Sequence, residues 1–401
     1  MSEMNSVLFV TWDGGGNVPP ALGIAAELSR RGNAVRFLGH PSQRQAIEAA
    51  GFAAEAFRHA KPWSVLDARS GMTAPLGYAA VFTDRGIGDD LVASVKRERT
   101  DRVIIDGLLI GALDGARRAG IGYTALVHTL YGVMHNTLTR GPLALIARGK
   151  RFNPAQLYQA ADHILAVTLE ELDFGPHDGV DYTGPVLPKP VLPKPVLPEA
   201  VLPESVLPEA SLPQPAGLGV RGDAHSASTP VVLVSLSTTY IEGQRETLQR
   251  ILNALSRMPV HAIVTTGPAV DPTGLRAPEN AEVHQYVPHD QLMSTASLVI
   301  THGGHATTML ALSHDLPLLI MPMNRAFDQP VIGRVIADQN AGLTIDKKAT
   351  EAEIRGAVER LLPDPSPYRQ AAARLGARIR SRNGAVAAAD LIETDVPARQ
   401  V

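Results

Sequence analysis

The sequence predicts an α/β protein with two doubly wound domains, each a parallel β-sheet with helices on both faces. Two observations predict this fold class. Short β-branched runs alternate with amphipathic helical stretches in both halves of the 401-residue chain, a pattern typical of parallel sheets. A proline-rich repeat interrupts the alternation near the middle, where one domain would end and the next begin.

The amino-terminal half contains strand signals followed by polar residues. In a doubly wound sheet the ligand lies beyond the carboxyl ends of the strands, so we expect Trp12–Asn17, Asp106 and His128–Tyr131 to face one crevice. The predicted elements are the strand Val7–Thr11, the helix Pro20–Arg31 closed by Gly32, the strands Ala34–Leu38 and Arg102–Asp106, a helix through Arg118, and the strand Tyr123–His128.

A five-residue repeat of the type VLPKP or VLPEA occupies Val186–Pro215. Proline at this density is excluded from sheet and helix interiors and favours extended polyproline II, so we interpret the repeat as a semi-rigid spacer. A ligand for a proline-binding module is the less favoured alternative. The predicted organisation is an amino-terminal domain at 1–185, a linker at 186–228, a carboxyl-terminal domain at 229–380, and a helix end and tail at 381–401.

The alternation of strands and helices resumes after the repeat and predicts a second parallel sheet. Two such domains joined by one linker would leave a deep cleft between them, a preferred location for small-molecule sites. The predicted strands are Pro230–Ser237, Val260–Thr265, Ala281–Tyr286, Leu298–Thr301 and Leu316–Met321, and the predicted helices are Glu246–Ser256, Thr350–Leu362 and Pro367–Arg380.

Composition limits the classes of function. A net charge of −3 gives no strong attraction to nucleic acid or to an anionic membrane, so neither is an expected partner. The absence of cysteine excludes disulfides and cysteine nucleophiles. The chain begins without a basic leader and lacks an apolar run long enough to span a membrane, so we expect a cytoplasmic protein. Homodimer formation is left open.

The most informative segment follows the predicted strand Leu298–Thr301. His302, Gly303 and Gly304 lie between this strand and a helix that starts near Thr307. Small residues allow a ligand to approach the backbone, and a helix start offers unpaired N–H groups, so a diphosphate fits there. An ordinary glycine-rich turn is the alternative.

Six short motifs extend this segment in a fixed order from Val283 to Gln329. They are Tyr286-Val287-Pro288, His302-Gly303-Gly304, Ala306-Thr307-Thr308, Leu316-Pro317, Pro322 and Asp328-Gln329. Together they resemble the carboxyl-terminal signature of GT-B fold glycosyltransferases of family 1, the UDP-glycosyltransferase superfamily. The closest likeness is to bacterial enzymes that glycosylate macrolides, polyketides and other natural-product aglycones. The order and spacing agree over about fifty residues, which is more specific than any one motif.

The resemblance implies a GT-B architecture in which two Rossmann-like domains face each other across a cleft. It also implies a set of donor-binding residues in the carboxyl-terminal half. Backbone near Val287 would meet the nucleobase, and Asp328 and Gln329 would bind sugar hydroxyls. Ser237, His302, Gly304, Ala306 and Thr307 would lie around the diphosphate.

The amino-terminal half departs from the family at one position. Members tend to carry Gly-His-x-x-Pro after the first strand, with the histidine as general base, whereas this chain has Asn17 there. An asparagine amide is a poor proton acceptor near neutral pH, so another residue has to take the proton. Asp13, Asp106 and His128 are the three candidates, and the alternatives are a turn residue, a helix cap and a wall residue, respectively.

The predicted activity is inverting transfer of a sugar from a UDP- or dTDP-sugar to a small lipophilic acceptor. The acceptor would be bound by the segments Lys61–Gly88 and Leu130–Phe152. A non-catalytic nucleotide-sugar binder that assists another glycosyltransferase is the alternative. We expect no metal and no cofactor, because the chain lacks an Asp-x-Asp pair and His302 and His305 lack a third ligand at a recognised spacing. A nicotinamide site is disfavoured because Pro19 stands where its third glycine is needed.

Overall fold

The computed structural model describes residues 5–67, 73–175, 178–187, 229–324 and 328–394. Nearly all of the predicted linker at 186–228, with all but the first two residues of the five-residue repeat, lies outside the described residues, as does the end of the predicted tail. The described residues form two parallel sheets with interleaved helices. The predicted α/β fold class with two doubly wound domains is therefore confirmed.

The amino-terminal sheet has seven parallel strands in the order β3-β2-β1-β4-β5-β6-β7. The strand order reverses between β1 and β4, which places the sheet's ligand crevice beyond the carboxyl ends of these two strands. The strands are β1 (Ser6–Val10), β2 (Ala34–Gly39), β3 (Ala53–Ala56), β4 (Arg102–Asp106), β5 (Thr124–Val127), β6 (His163–Ala166) and β7 (Val180–Tyr182).

Helices cover both faces of this sheet because successive strand residues point to opposite sides. Val7 and Phe9 belong to one buried cluster and Leu8 and Val10 to another. The helices are α1 (Val18–Arg30), α2 (Arg44–Ala49), α3 (Thr73–Phe82), α4 (Arg85–Arg97), α5 (Ile110–Arg118), α6 (Tyr131–Thr139), α7 (Pro142–Gly149) and α8 (Pro154–Gln159).

The carboxyl-terminal sheet has six parallel strands in the order β10-β9-β8-β11-β12-β13. Its strand order reverses between β8 and β11, so the segments after these two strands share one crevice. The strands are β8 (Val231–Ser235), β9 (His261–Thr265), β10 (Ala281–His284), β11 (Leu298–Thr301), β12 (Leu318–Ile320) and β13 (Gly342–Thr344).

The last helix of the chain lies on the amino-terminal domain. Arg31, directly after α1, contacts Asp390 and Glu393 at 2.7 Å each, and Ile392 belongs to the apolar cluster that contains Ile24 of α1. The helices of this half are α9 (Gln244–Leu255), α10 (His289–Met293), α11 (His305–Ser313), α12 (Gln329–Asp338), α13 (Glu351–Leu361), α14 (Pro367–Arg380) and α15 (Gly384–Glu393).

Several predicted strands are shorter in the structure; Pro230–Ser237, for example, is reduced to Val231–Ser235. The strand predicted to reach Tyr286 ends at His284, which is the last residue paired with β9. Tyr286 is accordingly 72% exposed. The strand predicted from Leu316 begins at Leu318, the first residue that pairs with β13.

Candidate active site between the two domains

Asn17 is a buried anchor for the loop that follows β1. Its side-chain amide Nδ2 donates to Thr11 Oγ1 at 3.2 Å, to the Trp12 carbonyl at 3.0 Å and to Asp106 Oδ2 at 2.9 Å. Only 3% of the residue is exposed, and its side chain does not cap α1. Asn17 therefore ties this loop to the end of β4 and presents no proton acceptor of useful basicity.

Asp106 ends β4 and lies between Asn17 and His128. Its Oδ1 accepts a hydrogen bond from the Leu108 backbone N–H at 3.0 Å, and its Oδ2 accepts from Asn17. The same Oδ2 is 3.3 Å from Nδ1 of His128, close enough for a charge contact although the two groups lack the alignment of a hydrogen bond. Asp106 thus pairs with a histidine from the neighbouring strand β5.

His128 follows β5 and keeps 15% of its side chain exposed. Burial disfavours its imidazolium, but the carboxylates of Asp106 and Asp328 outweigh burial and raise the pKa of His128. Because Nδ1 faces Asp106, the proton of the neutral ring is expected there, which leaves the lone pair on Nε2. No described residue forms a hydrogen bond with Nε2 in the structure, so this atom can accept a proton from a bound molecule.

Asp13 has a different set of contacts. Its Oδ2 accepts from Ser42 Oγ at 2.8 Å and from the Val65 backbone N–H at 3.4 Å, while its carbonyl accepts from the Trp63 indole at 2.7 Å. These contacts join the loop after β1 to the segment after β2, through Ser42, and to the segment before α3, through Trp63 and Val65. The structure therefore brings Asn17, Asp106 and His128 together and assigns Asp13 to the neighbouring loop contact.

The predicted donor side lies at the turn between β11 and α11. Gly303 has φ +85°, and a Cβ there would lie 2.9 Å from Ile320 Cγ2. A Cβ on Gly304 would lie 2.6 Å from Nε2 of His302, so the ring and the backbone are in close contact. This turn requires glycine, and it leaves the first N–H groups of α11 without helical partners.

The two histidines of this turn differ from His128 in their protonation. Burial is the main cause that lowers the pKa of His302 to about 4, and a nearby His289 adds to the effect. Burial also lowers the pKa of His305 to about 3, with a smaller contribution from His128. Both rings are neutral near pH 7 and can act as hydrogen-bond donors without carrying charge.

Ala306 and Thr307 lie in the first turn of α11 with exposed and half-exposed side chains, respectively. Ser237 follows β8, the strand adjacent to β11, but its hydroxyl accepts from the Thr239 backbone N–H at 3.0 Å. Val287 follows β10, which lies two strands away from β8, and is half-buried. The predicted diphosphate residues therefore share one sheet edge, with the predicted nucleobase residue further along it.

Asp328 and Gln329 start α12 on the same side. Gln329 Oε1 accepts from the backbone N–H groups of Met323 at 2.9 Å and Asn324 at 2.8 Å, so only its Nε2 is available to a ligand. Burial raises the pKa of Asp328, against the opposing effect of a hydrogen bond from Thr129. Asp328 Oδ2 accepts this bond from Thr129 Oγ1 at 2.6 Å, which connects the two domains.

The two domains also contact each other at other points near the carboxyl ends of their strands. A Cβ on Gly15 would lie 3.2 Å from Thr238 Oγ1, so the loop after β1 passes against the loop after β8. Leu130 and Val133 belong to one apolar cluster with Met309 and Leu310 of α11. The acceptor-side loops therefore lie directly opposite the turn that begins α11.

Thr129 was expected in the crevice as part of His128–Tyr131, but no role was predicted for it. The location of His305 beside His128 was not predicted. Contacts of these two residues with the opposite domain have no local sequence pattern. Within the described ranges, no helix is long and apolar enough to cross a membrane, and no three His, Asp or Glu side chains are grouped to hold a metal ion.

This chain is similar in sequence to known enzymes of natural-product biosynthesis. Residues 249–392 match the family described as the erythromycin biosynthesis protein CIII-like, C-terminal domain. The 4'-demethylrebeccamycin synthase of Lentzea aerocolonigenes is 25% identical, over 96% of this chain and 98% of the relative. The oleandomycin glycosyltransferase of Streptomyces antibioticus is 32% identical, over 42% of this chain and 39% of the relative.

Solved structures give the same fold over the full chain. The glycosyltransferase of kitacinnamycin superposes with a TM-score of 0.74 at 22% identity, covering 99% of this chain and 100% of the other. The calicheamicin glycosyltransferase CalG4 superposes with a TM-score of 0.73 at 21% identity, covering 98% of each. Residues 249–392 therefore belong to the EryCIII-like carboxyl-terminal domain family, and the chain as a whole has the GT-B fold of these natural-product glycosyltransferases.

Proposed function

We propose that this protein transfers a sugar from a UDP- or dTDP-sugar to a small lipophilic acceptor, with inversion at the anomeric carbon and with His128 as general base. The observation that carries the proposal is the pair of His128 and Asp106, which faces the α11 turn across the domain boundary. An acid–base pair opposite a site for a diphosphate is the arrangement that glycosyl transfer requires.

The donor would bind with its diphosphate at the start of α11. The N–H groups of Ala306 and Thr307 and the neutral His302 ring supply donors, and the helix end adds a positive partial charge. As the bond from the anomeric carbon to the diphosphate breaks, negative charge grows on the leaving oxygen. These donors then stabilise the departing diphosphate more than the intact donor, which accelerates the reaction.

The acceptor atom would attack the anomeric carbon from the face opposite the diphosphate, which inverts the centre. Its proton would pass to Nε2 of His128 as the new bond forms. The resulting imidazolium lies between the carboxylates of Asp106 and Asp328, which favour the charged ring. Asp106 is therefore assigned the role of orienting and stabilising His128, because its own oxygens already accept from Asn17 and Leu108.

A lipophilic acceptor is supported by exposed apolar side chains on the amino-terminal domain. Leu66 is 46% exposed, Leu76 is 61% exposed and Leu145 is 68% exposed, and all three belong to the segments predicted to bind the acceptor. One relative of known structure, the spinosyn rhamnosyltransferase SpnG, is described both in complex with thymidine diphosphate and in complex with spinosyn aglycone.

Calorimetry with UDP, dTDP, ADP and GDP tests the donor site, and the hexosyl derivatives of the binding nucleotide are then offered with a panel of aglycones. We expect saturable binding of UDP or dTDP and a glycoside of inverted anomeric configuration. The absence of heat with all four nucleotides would refute the donor assignment. Binding without transfer to any aglycone would favour the non-catalytic alternative.

A further inference from the structure

The loop His128–Leu130 connects three different parts of the molecule through three consecutive side chains. His128 faces Asp106 of its own domain. Thr129 donates to Asp328 of the other domain, and Leu130 packs in the apolar cluster that includes α11. One short loop therefore contacts the base partner, the residue predicted to bind the donor sugar, and the helix predicted to bind the diphosphate.

The bond between Thr129 and Asp328 is well protected from water. Thr129 is 6% exposed, and its hydroxyl reaches Asp328 Oδ2 at 2.6 Å. A hydrogen bond to a buried carboxylate is stronger than a neutral one, and breaking it leaves a buried acceptor unpaired. The position of Asp328 and the position of the loop are therefore linked.

On the basis of the proposed function, we propose that Thr129 is a positioning residue that couples the donor-sugar site to the base, by fixing the His128–Leu130 loop to Asp328 when the two domains are closed. The residues directly after the loop, Tyr131 and Gly132 at the start of α6, are held in their own domain by Asp173, which accepts from their backbone N–H groups at 2.6 and 3.0 Å. The loop thus has one fixed end in its own domain and one end that depends on the partner domain.

The electrostatic surroundings of His128 make this coupling measurable. Among the described residues, the charged or titratable groups that act on His128 are Asp106 from β4, Asp328 from the start of α12 and His305 from α11. Asp106 belongs to the same domain as His128, and Asp328 does not. Separation of Asp328 from the loop removes a carboxylate that favours the imidazolium, so the pKa of His128 then falls.

Thr129→Val removes the hydroxyl and keeps the shape of the side chain, and Thr129→Ser keeps the hydroxyl. With the donor and acceptor found by the panel above, we expect Thr129→Val to lower kcat by about tenfold or more and to shift the acidic limb of the pH–rate profile to lower pH. Thr129→Ser should restore both. Thr183→Val is the matched control, because this buried hydroxyl donates to carbonyls of its own domain.

The double variant of Thr129→Val and Asp328→Asn separates coupling from general damage. If the two residues act through their bond, Thr129→Val adds little to the loss already caused by Asp328→Asn. Additive losses, an unshifted pH profile, or no recovery with serine would overturn the inference. Nucleoside diphosphate binding by the wild-type protein tests the proposed function independently, so a protein that transfers sugar but is indifferent to Thr129→Val refutes only this coupling.

Discussion

The two sides of the candidate site both place histidine after a strand, but they drive its protonation in opposite directions. On the acceptor side, two carboxylates raise the pKa of His128. On the donor side, burial lowers the pKa of His302 to about 4 and of His305 to about 3. Residue type alone therefore does not assign a role: the carboxylate-flanked ring suits proton transfer, and the neutral rings suit hydrogen bonding to a diphosphate.

The contacts of Asp106 explain how the chain can lack the histidine that is usual in the family. Asn17 stands at that position and donates to the same Asp106 oxygen that lies beside His128. The acidic partner is retained, and the ring that it serves comes from the end of β5 instead of from the start of α1. The donor side, in contrast, keeps the order of the family's motifs along the chain.

The largest effect is expected from His128→Ala. Removal of a general base lowers kcat/KM by about 10²–10⁴-fold, while affinity for the nucleoside diphosphate stays unchanged because His128 lies on the acceptor side. Steady-state kinetics and calorimetry measure the two quantities. His163→Ala is a matched control, since His163 lies 2.9 Å from Asp181 in the same sheet but at the start of β6. Equal losses in the two variants would contradict the assignment.

Asp106→Asn sharpens the comparison by removing one of the two carboxylates that raise the pKa of His128. The amide oxygen of asparagine can still accept from the Leu108 N–H, but its amide nitrogen then faces Asn17 Nδ2 and that hydrogen bond is lost, so unfolding in urea is measured alongside the kinetics. We expect kcat to fall by about tenfold or more, with the acidic limb of the pH–rate profile moved to lower pH. Asp181→Asn serves as the control. An unshifted limb would mean that Asp106 does not act on the base.

Gly303→Ala tests the donor side. Alanine at φ +85° costs about 1–2 kcal/mol, and contact of its Cβ with Ile320 adds to this cost. We expect a lower free energy of unfolding in urea and weaker binding of the nucleoside diphosphate. Gly356→Ala, at a position in α13 with open space around the glycine, should be neutral or stabilising. Unchanged nucleotide affinity in Gly303→Ala would place the diphosphate elsewhere.

The smallest effect concerns the pH dependence of donor binding. Because His302 and His305 stay neutral above pH 5, the KM for the nucleotide sugar should vary by no more than about twofold between pH 6 and pH 8. Initial rates at saturating acceptor give this value. A KM that falls steeply as the pH is lowered through this range would show that a donor-side histidine binds in its charged form.

Strand positions were largely predictable from sequence because buried parallel strands are continuous apolar runs. Arg102–Asp106 and Leu298–Thr301 coincide with β4 and β11. Helix α3 was missed, since Thr73–Phe82 is apolar on nearly all sides and has no amphipathic period. The GT-B fold and the resemblance to family 1, predicted from the motifs between Val283 and Gln329, are confirmed.

The candidate site was predictable only as a set of strand ends. The sequence placed Asp13, Asp106 and His128 near one crevice, but the choice among them depends on side-chain contacts that no local pattern contains. The bond between Thr129 and Asp328 joins residues 199 positions apart, so it depends on how the domains dock. The assigned roles of the donor-binding residues stay predictions.

The assignment of His128 as the general base can be tested by the rate of sugar transfer between pH 5 and pH 9 in the wild-type protein and in His128→Ala. We expect the wild-type rate to rise with pH through an acidic limb whose midpoint lies above the ordinary histidine value of about 6.5. We expect this limb to be absent from the slow residual rate of His128→Ala. A limb with the same midpoint in the variant would show that another group takes the acceptor's proton.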